Sequence, residues 1–415
     1  MGLITCLMAT NAQAQEPRAV IDHYADLALA KYTDALNTAK ELDASIQAFL
    51  GEPSEQNFDA AKEAWLVARV PYQQTEVYRF GNVYVDEWEG KVNAWPLDEG
   101  LIDYVATDFY GEESDENIFY TANIIANPEL TVSGKTLEAG SIDADLIRSL
   151  HEVDTVEANV TTGYHAIEFL LWGQDLNYTG PGAGNRPWTD YADGEDCTNG
   201  NCDRRGDYLQ AASDLLVADL EDIVAAWSEG GEARSSLDEA SDNEGLAVIL
   251  TGMGSLSYGE QAGERMQLGL LLHDPEEEHD CFSDNTHNSH FYDAKGIQNI
   301  YLGRYERPDG SVLEGPSLAA LVQARDGALD GEMQAALEAT MAAMNVIKET
   351  ADSGEMAYDQ MIGEGNAEGN AMVQAAIDGL IAQTAVIEQI VATLELEAID
   401  FEGSDSLDDP EAVFQ

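Results

Sequence analysis

The chain has 415 residues, 44% of them hydrophobic, with 79 acidic against 19 basic side chains and a formal net charge of −60. The apolar fraction excludes wholesale disorder, and the length exceeds one ordinary core, so two domains are expected. Such a surface repels nucleic acid and anionic lipid; spread along the whole chain, its acidity reads first as adaptation to concentrated salt and second as a funnel for cations.

Residues 1–14 carry no charge, are apolar over 3–8, and end in Ala12-Gln13-Ala14, a small-x-small cleavage site before Gln15. This is the pattern of a secretory signal peptide, lacking only a basic n-region. Cys6 follows Leu3-Ile4-Thr5, a poor lipoprotein box, so cleavage after Ala14 is preferred. A periplasmic or cell-surface protein is then expected. No later run approaches the ~20 apolar residues of a membrane span, so no transmembrane segment is expected.

Helical patterning dominates the remainder of the chain. One long amphipathic segment covers about 18–49, and a second covers about 54–80 with a kink expected at Pro71. Shorter helical pieces are expected near 97–106, 114–126 and 141–154, before the helix that contains His165. A loop at 173–205, rich in Gly, Pro, Asp and Asn, precedes a long helix at 206–229, and Gly230-Gly231 marks the best domain boundary. Long helices are expected near 240–273, 327–352 and 367–398, with a polar, His-rich loop at 274–292. The resulting division is 15–229, 230–400 and an acidic tail at 401–415. Alternating β-branched runs are nearly absent, so the class is all-α, built from helical bundles. Cys197 and Cys202 flank a turn-rich Thr-Asn-Gly-Asn loop and read as a local disulfide of an exported protein, which leaves Cys281 odd.

Three clusters can carry chemistry. In Gly163-Tyr164-His165-Ala166-Ile167-Glu168-Phe169-Leu170-Leu171-Trp172-Gly173, His165 and Glu168 share one face of a helix that is otherwise apolar nearly all round. A buried His and Glu must be paired, hydrogen-bonded or metal-bound. Nitrogen plus carboxylate suits iron, zinc or another first-row metal, while the plainer reading is a hydrogen bond inside the core. In the second cluster, Arg69, Tyr72, Glu76 and Arg79 recur at helical intervals, near Trp95-Pro96-Leu97-Asp98-Glu99 and Asp103. Glu76 between two arginines reads as a structural ion pair or as a carboxylate ligand held by guanidinium groups. The third runs from Glu276 to His290, with His279, His287 and His290 in one segment that is either metal-binding or a capped loop. Zinc-protease spacing fails: His151-Glu152 is followed by Thr155 where a second His is required.

Taken together, these blocks resemble the imelysin family, in particular its iron-regulated protein A branch. The residues are Gly163-x-His165-x-x-Glu168, fitting the family's GxHxxE motif, with Arg79-Phe80-Gly81, Trp95-Pro96-Leu97-Asp98-Glu99 and Ile102-Asp103-Tyr104. Cys197 through Cys202-Asp203-Arg204-Arg205-Gly206, Gly263-Glu264-Arg265-Met266 and Cys281-Phe282-Ser283-Asp284-Asn285-Thr286-His287 complete the set, which spans about residues 20–400. The resemblance implies two four-helix-bundle-like domains related by duplication, with GxHxxE near their interface. It also implies a role in bacterial iron acquisition, with iron or complexed iron as ligand and membrane iron-uptake components as partners. His165 and Glu168 are the expected metal ligands, Glu76 and Asp98 the expected additional carboxylates, and Glu264 and His287 the expected contributors from the second half. Competing readings are a metal-dependent peptidase and a binding module for a non-metal ligand.

Overall fold

The long periodic segments fold as helices, and the computed structural model describes residues 16–414 apart from Ser133. The signal-peptide expectation on 1–14 lies outside the described residues. Helices account for 65% of the chain, which makes it all-α. In chain order they are α1 (Pro17–Gly51), α2 (Glu55–Gln73), α3 (Val83–Asn93), α4 (Thr107–Tyr110), α5 (Ala144–Leu150), α6 (Gly163–Trp172), α7 (Cys202–Trp227) and α8 (Glu232–Glu239). Then come α9 (Asp242–Ser255), a π-helical stretch (Leu256–Gln267), α10 (Leu268–Leu272), α11 (Thr286–Leu302), α12 (Leu318–Arg325), α13 (Gly327–Asp352), α14 (Tyr358–Ile362), α15 (Ala367–Thr393) and α16 (Asp405–Asp408).

Helix α1 shows how the pattern becomes packing. Pro17 starts it, and Tyr24, Ala28, Tyr32, Ala35, Ala39, Leu42, Ile46 and Phe49 recur every three or four residues and are buried. It packs on α2 and α7, and α6 closes this group of four. A second group joins the π-helical stretch, α11, α13 and α15. The groups meet where α2 crosses α11 and α1 meets α9. One apolar cluster runs from Val20 to Leu394, and a smaller one lies around Met266, Met344, Tyr358 and Ile377.

Several elements differ from expectation. The segment expected to run to residue 80 breaks after Gln73, where Pro71 removes a backbone donor and Thr75 Oγ1 bonds Tyr72 O at 2.6 Å. Residues 97–106 form only a 3₁₀ turn, Glu99–Leu101, and 114–126 are turns. There the side chains of Asn117 and Asn123 accept backbone N–H groups of Phe119 and Ala126 at 2.9 Å, in competition with a helix. The His-rich loop ends early because α11 begins at Thr286. Helices α3, α8 and α12 and two short antiparallel hairpins, β1 (Glu129–Val132) with β2 (Lys135–Glu138) and β3 (Arg304–Glu306) with β4 (Val312–Glu314), carry too little periodicity to stand out. Against the expectation that no later run has membrane-spanning character, α15 is long and apolar enough by length and composition, at mean hydropathy 1.3. Half of that window is buried, and Val373, Ile377, Leu380, Ile387 and Ile390 face the core between α13 and the π-helical stretch. Cys197 and Cys202 are disulfide-bonded, as expected, and Cys281 is a half-buried free thiol.

Candidate metal centre

Every residue of α6 is buried. Its start is held by Gly163, at φ +83, where a side chain would meet Val92 O at 2.4 Å, so only glycine admits this approach to the end of α3. That places His165 and Glu168 inside the first helix group, facing the segment between α10 and α11.

His165 Nδ1 lies 3.1 Å from Glu168 Oε2, and both side chains are at most 1% exposed. Glu168 Oε1 accepts from the backbone N (3.0 Å) and Oγ (2.6 Å) of Ser283. Both Glu168 oxygens are therefore engaged, and His165 Nε2 is left without a hydrogen-bond partner. The structure brings two further groups to this pair. His165 Nδ1 and His279 Nδ1 each lie 3.8 Å from Asp280 Oδ1, and the two imidazole rings are 4.8 Å apart at 68°. Among the described residues, His165, His279 and Asp280 form the one set of three metal-capable side chains whose ligand atoms all lie within 4.8 Å of one another.

The surroundings fix the charges. Arg69, 1% exposed, donates to Asp280 Oδ1 at 2.7 Å and Asn93 Oδ1 at 2.6 Å. Asp280 Oδ2 accepts from Asn285 Nδ2 at 2.9 Å and from Ser289 Oγ. Burial pushes Asp280 up, but Arg69, His165 and these donors outweigh it, so the carboxyl sits below its usual range and stays ionised. Burial, then the Arg69 charge, lowers His165 to about 3, and burial with Arg265 and His165 holds His279 well below the usual imidazole range. Burial and the Asp280 charge raise Glu168. The centre thus presents two neutral imidazoles and one carboxylate. His165 Nε2 and His279 Nε2 have no hydrogen-bond partner although both residues are buried.

The other expected site residues are placed differently. Glu76 is buried and its Oε2 is taken at 2.7 Å by Arg265 from the second half of the chain, in place of the expected pairing with Arg69 and Arg79 of its own cluster. Arg265 also binds Glu260 (2.8 Å) and Asp293 (3.1 Å). Asp98 is half-buried and accepts from Asn117 Nδ2 at 2.6 Å, outside the three-residue set. His287 Nε2 is 3.1 Å from Asp352 Oδ1 on α13. Glu264 lies on the wall of a cleft of about 420 Å³ that has His279 in its lining, with Arg79, Asn93, Trp95 and Arg265. His279 and Asp280 stood within the third sequence cluster, but an irregular loop gives no spacing rule to single them out over His287.

A sequence profile described as imelysin, of peptidase type M75, matches residues 28–387. A curated relative, iron-regulated protein A of Synechococcus elongatus, is 29% identical over 107 residues. That match covers 25% of this chain and only 30% of the relative. Two crystal structures share the fold at 17% identity. One is a protein from Parabacteroides distasonis assigned as an iron-regulated protein A precursor, with TM-score 0.65 over 92% of this chain and 97% of that one. The other is an imelysin-like protein from Psychrobacter arcticum, with TM-score 0.59 over 95% of this chain and all of that one (100%).

Proposed function

The chain belongs to the imelysin family, and from that premise we propose that it is an exported iron-binding protein of bacterial iron acquisition, with the metal held by His165, His279 and Asp280. The observation that carries the reading is the convergence of two neutral imidazoles and one ionised carboxylate, within 4.8 Å of one another, in a buried centre with unpartnered ring nitrogens. Imidazole must be neutral and carboxylate ionised to bind metal, and the pKa directions give both. Two His and one carboxylate suit first-row metals including Fe(II). The partial match to an iron-regulated protein A favours iron among them. Glu168, bonded to His165 and Ser283, acts as the positioning group that orients His165. Export is supported by the Cys197–Cys202 disulfide, which persists in oxidising compartments. Transfer to a membrane iron-uptake component is the role this implies.

The peptidase reading needs a carboxylate free to activate a metal-bound water. Glu168 has both oxygens engaged, and no observation at the centre favours that reading over binding. Anaerobic titration with Co(II), followed by its visible absorption bands, tests the assignment. One equivalent with ligand-field bands that vanish in His165→Ala and His279→Ala is expected; bands unchanged in both variants would sink it.

A further inference from the structure

We propose that the cleft over His279 is a cation-selective entrance, through which the site takes a free hydrated divalent cation and rejects anionic metal chelates. The inference rests on the metal-binding reading above and adds the chemical form of the cargo.

The cleft joins the surface to the centre. Glu152 and Glu157 are exposed at its mouth, Glu260 and Glu264 are half-buried on its wall, and Asn93 and His279 are buried within it. With Glu89, five glutamates face this space against two arginines. Both arginines are already committed. Arg79 pairs with Asp86 (3.2 Å), Glu260 (3.3 Å) and Glu89 (3.7 Å), and Arg265 with Glu76, Glu260 and Asp293 at 2.7–3.1 Å. Arg265 is enclosed by three carboxylates and Arg79 is shared among three, so most of the positive charge that could grip a carboxylate, catecholate or phosphate oxygen of a chelator is already neutralised. A polyanionic chelate entering here meets uncompensated acids inside a molecule of net charge −60. Glu89 registers the crowding: burial, opposed by Arg79 and aided by Glu76, raises it to about 7.

Two buried polar atoms on the lining have no partner, His279 Nε2 and Asn93 Nδ2. The first is an unpartnered imidazole nitrogen at the inner end, beside the proposed metal ligands, and the second can donate to a water of a cation's hydration shell. Size agrees as well. Six waters at about 30 Å³ each give a hydrated cation of roughly 200 Å³, which fits the 420 Å³ cleft.

The test compares Co(II) alone with ferric citrate, at matched ionic strength, on the full chain and two triple variants. Glu152→Gln/Glu157→Gln/Glu264→Gln neutralises the entrance, and Glu332→Gln/Glu338→Gln/Glu349→Gln removes the same charge from exposed positions on α13. Binding is read by fluorescence quenching, with Trp95 on the cleft wall and its ring 5.8 Å from that of His279, and by citrate retained after gel filtration. We expect Co(II) to bind, the entrance variant to bind it about tenfold more weakly than the α13 variant, and no citrate to be retained. Retention of one citrate per chain with the iron, or equal Co(II) affinity in the two variants, would overturn the inference and leave the metal-binding reading standing. Absence of Co(II) binding, or binding indifferent to His165→Ala, would overturn both.

Discussion

Replacing Arg69 with methionine separates the structural role of the buried centre from the metal binding proposed for it. The guanidinium is 1% exposed, bonds Asp280 at 2.7 Å and Asn93 at 2.6 Å, and lies 5.1 Å from the Tyr164 ring centroid. Methionine keeps most of the apolar contact but leaves Asp280 with only the neutral donors Asn285 and Ser289. Removing one partner of a buried pair costs about 3–5 kcal/mol, because the remaining charge stays desolvated. With Arg69 gone, burial dominates and the Asp280 pKa rises above its usual range. The variant's deficit is therefore largest at neutral pH and shrinks as pH falls and Asp280 takes a proton. A divalent cation supplies the missing positive charge. At a hundredfold excess over its Kd it adds about 2.7 kcal/mol to any protein that binds it only when folded, and the variant should gain at least as much as the wild type. Urea unfolding at constant high NaCl, followed by tryptophan fluorescence with and without Co(II), measures both effects. A loss below about 1 kcal/mol, or a variant that Co(II) fails to stabilise while the wild type is stabilised, would refute the reasoning.

Glu99 is 3% exposed, and burial followed by the Glu276 charge raises it to about 8 from an ordinary 4.5. Its contribution is complete below pH 4.5 and is lost as pH rises toward 8, so Glu99→Gln should flatten the fall of stability between those two pH values by roughly 5 kcal/mol, at about 1.4 kcal/mol per unit; parallel pH profiles would contradict it. Cys197→Ser/Cys202→Ser opens a loop of sequence separation 5 and should lower unfolding free energy by about 2 kcal/mol under non-reducing conditions, with no difference once the wild type is reduced. Raising NaCl from about 0.1 to about 1 M contracts the screening length from about 10 to about 3 Å. With a net charge of −60 the urea midpoint should climb over that range, and a flat or falling midpoint would count against the salt reading.

The helical class was legible because α1, α7, α13 and α15 repeat their apolar residues over many turns. The pairing of His165 with Glu168 was legible for the same reason, since a spacing of three fixes a common face. What could not be read was anything set by contact between distant segments. His279 and Asp280 reach His165 from an irregular loop, held by Arg69 and Gln73 on α2 and by Thr286 and Ser289 on α11. Spacing gives no direction to side chains there, so His287 looked equally suited, although it faces Asp352 on α13. Asp98 looked available because the sequence does not reveal that Asn117 folds back on it. The two hairpins were missed because strands of three or four residues are too short for alternation to register.

The most direct test of the central claim is metal analysis of the chain from residue 15 onward, loaded anaerobically with Fe(II) in high salt and desalted, beside His165→Ala/His279→Ala. High salt is needed to suppress adventitious binding to the 79 acidic side chains. The account predicts one tightly held iron per wild-type chain and none in the variant, with both proteins showing the same helical content. Equal iron in the two proteins would contradict it and reduce the buried His165–Glu168–His279–Asp280 cluster to a polar element of the core.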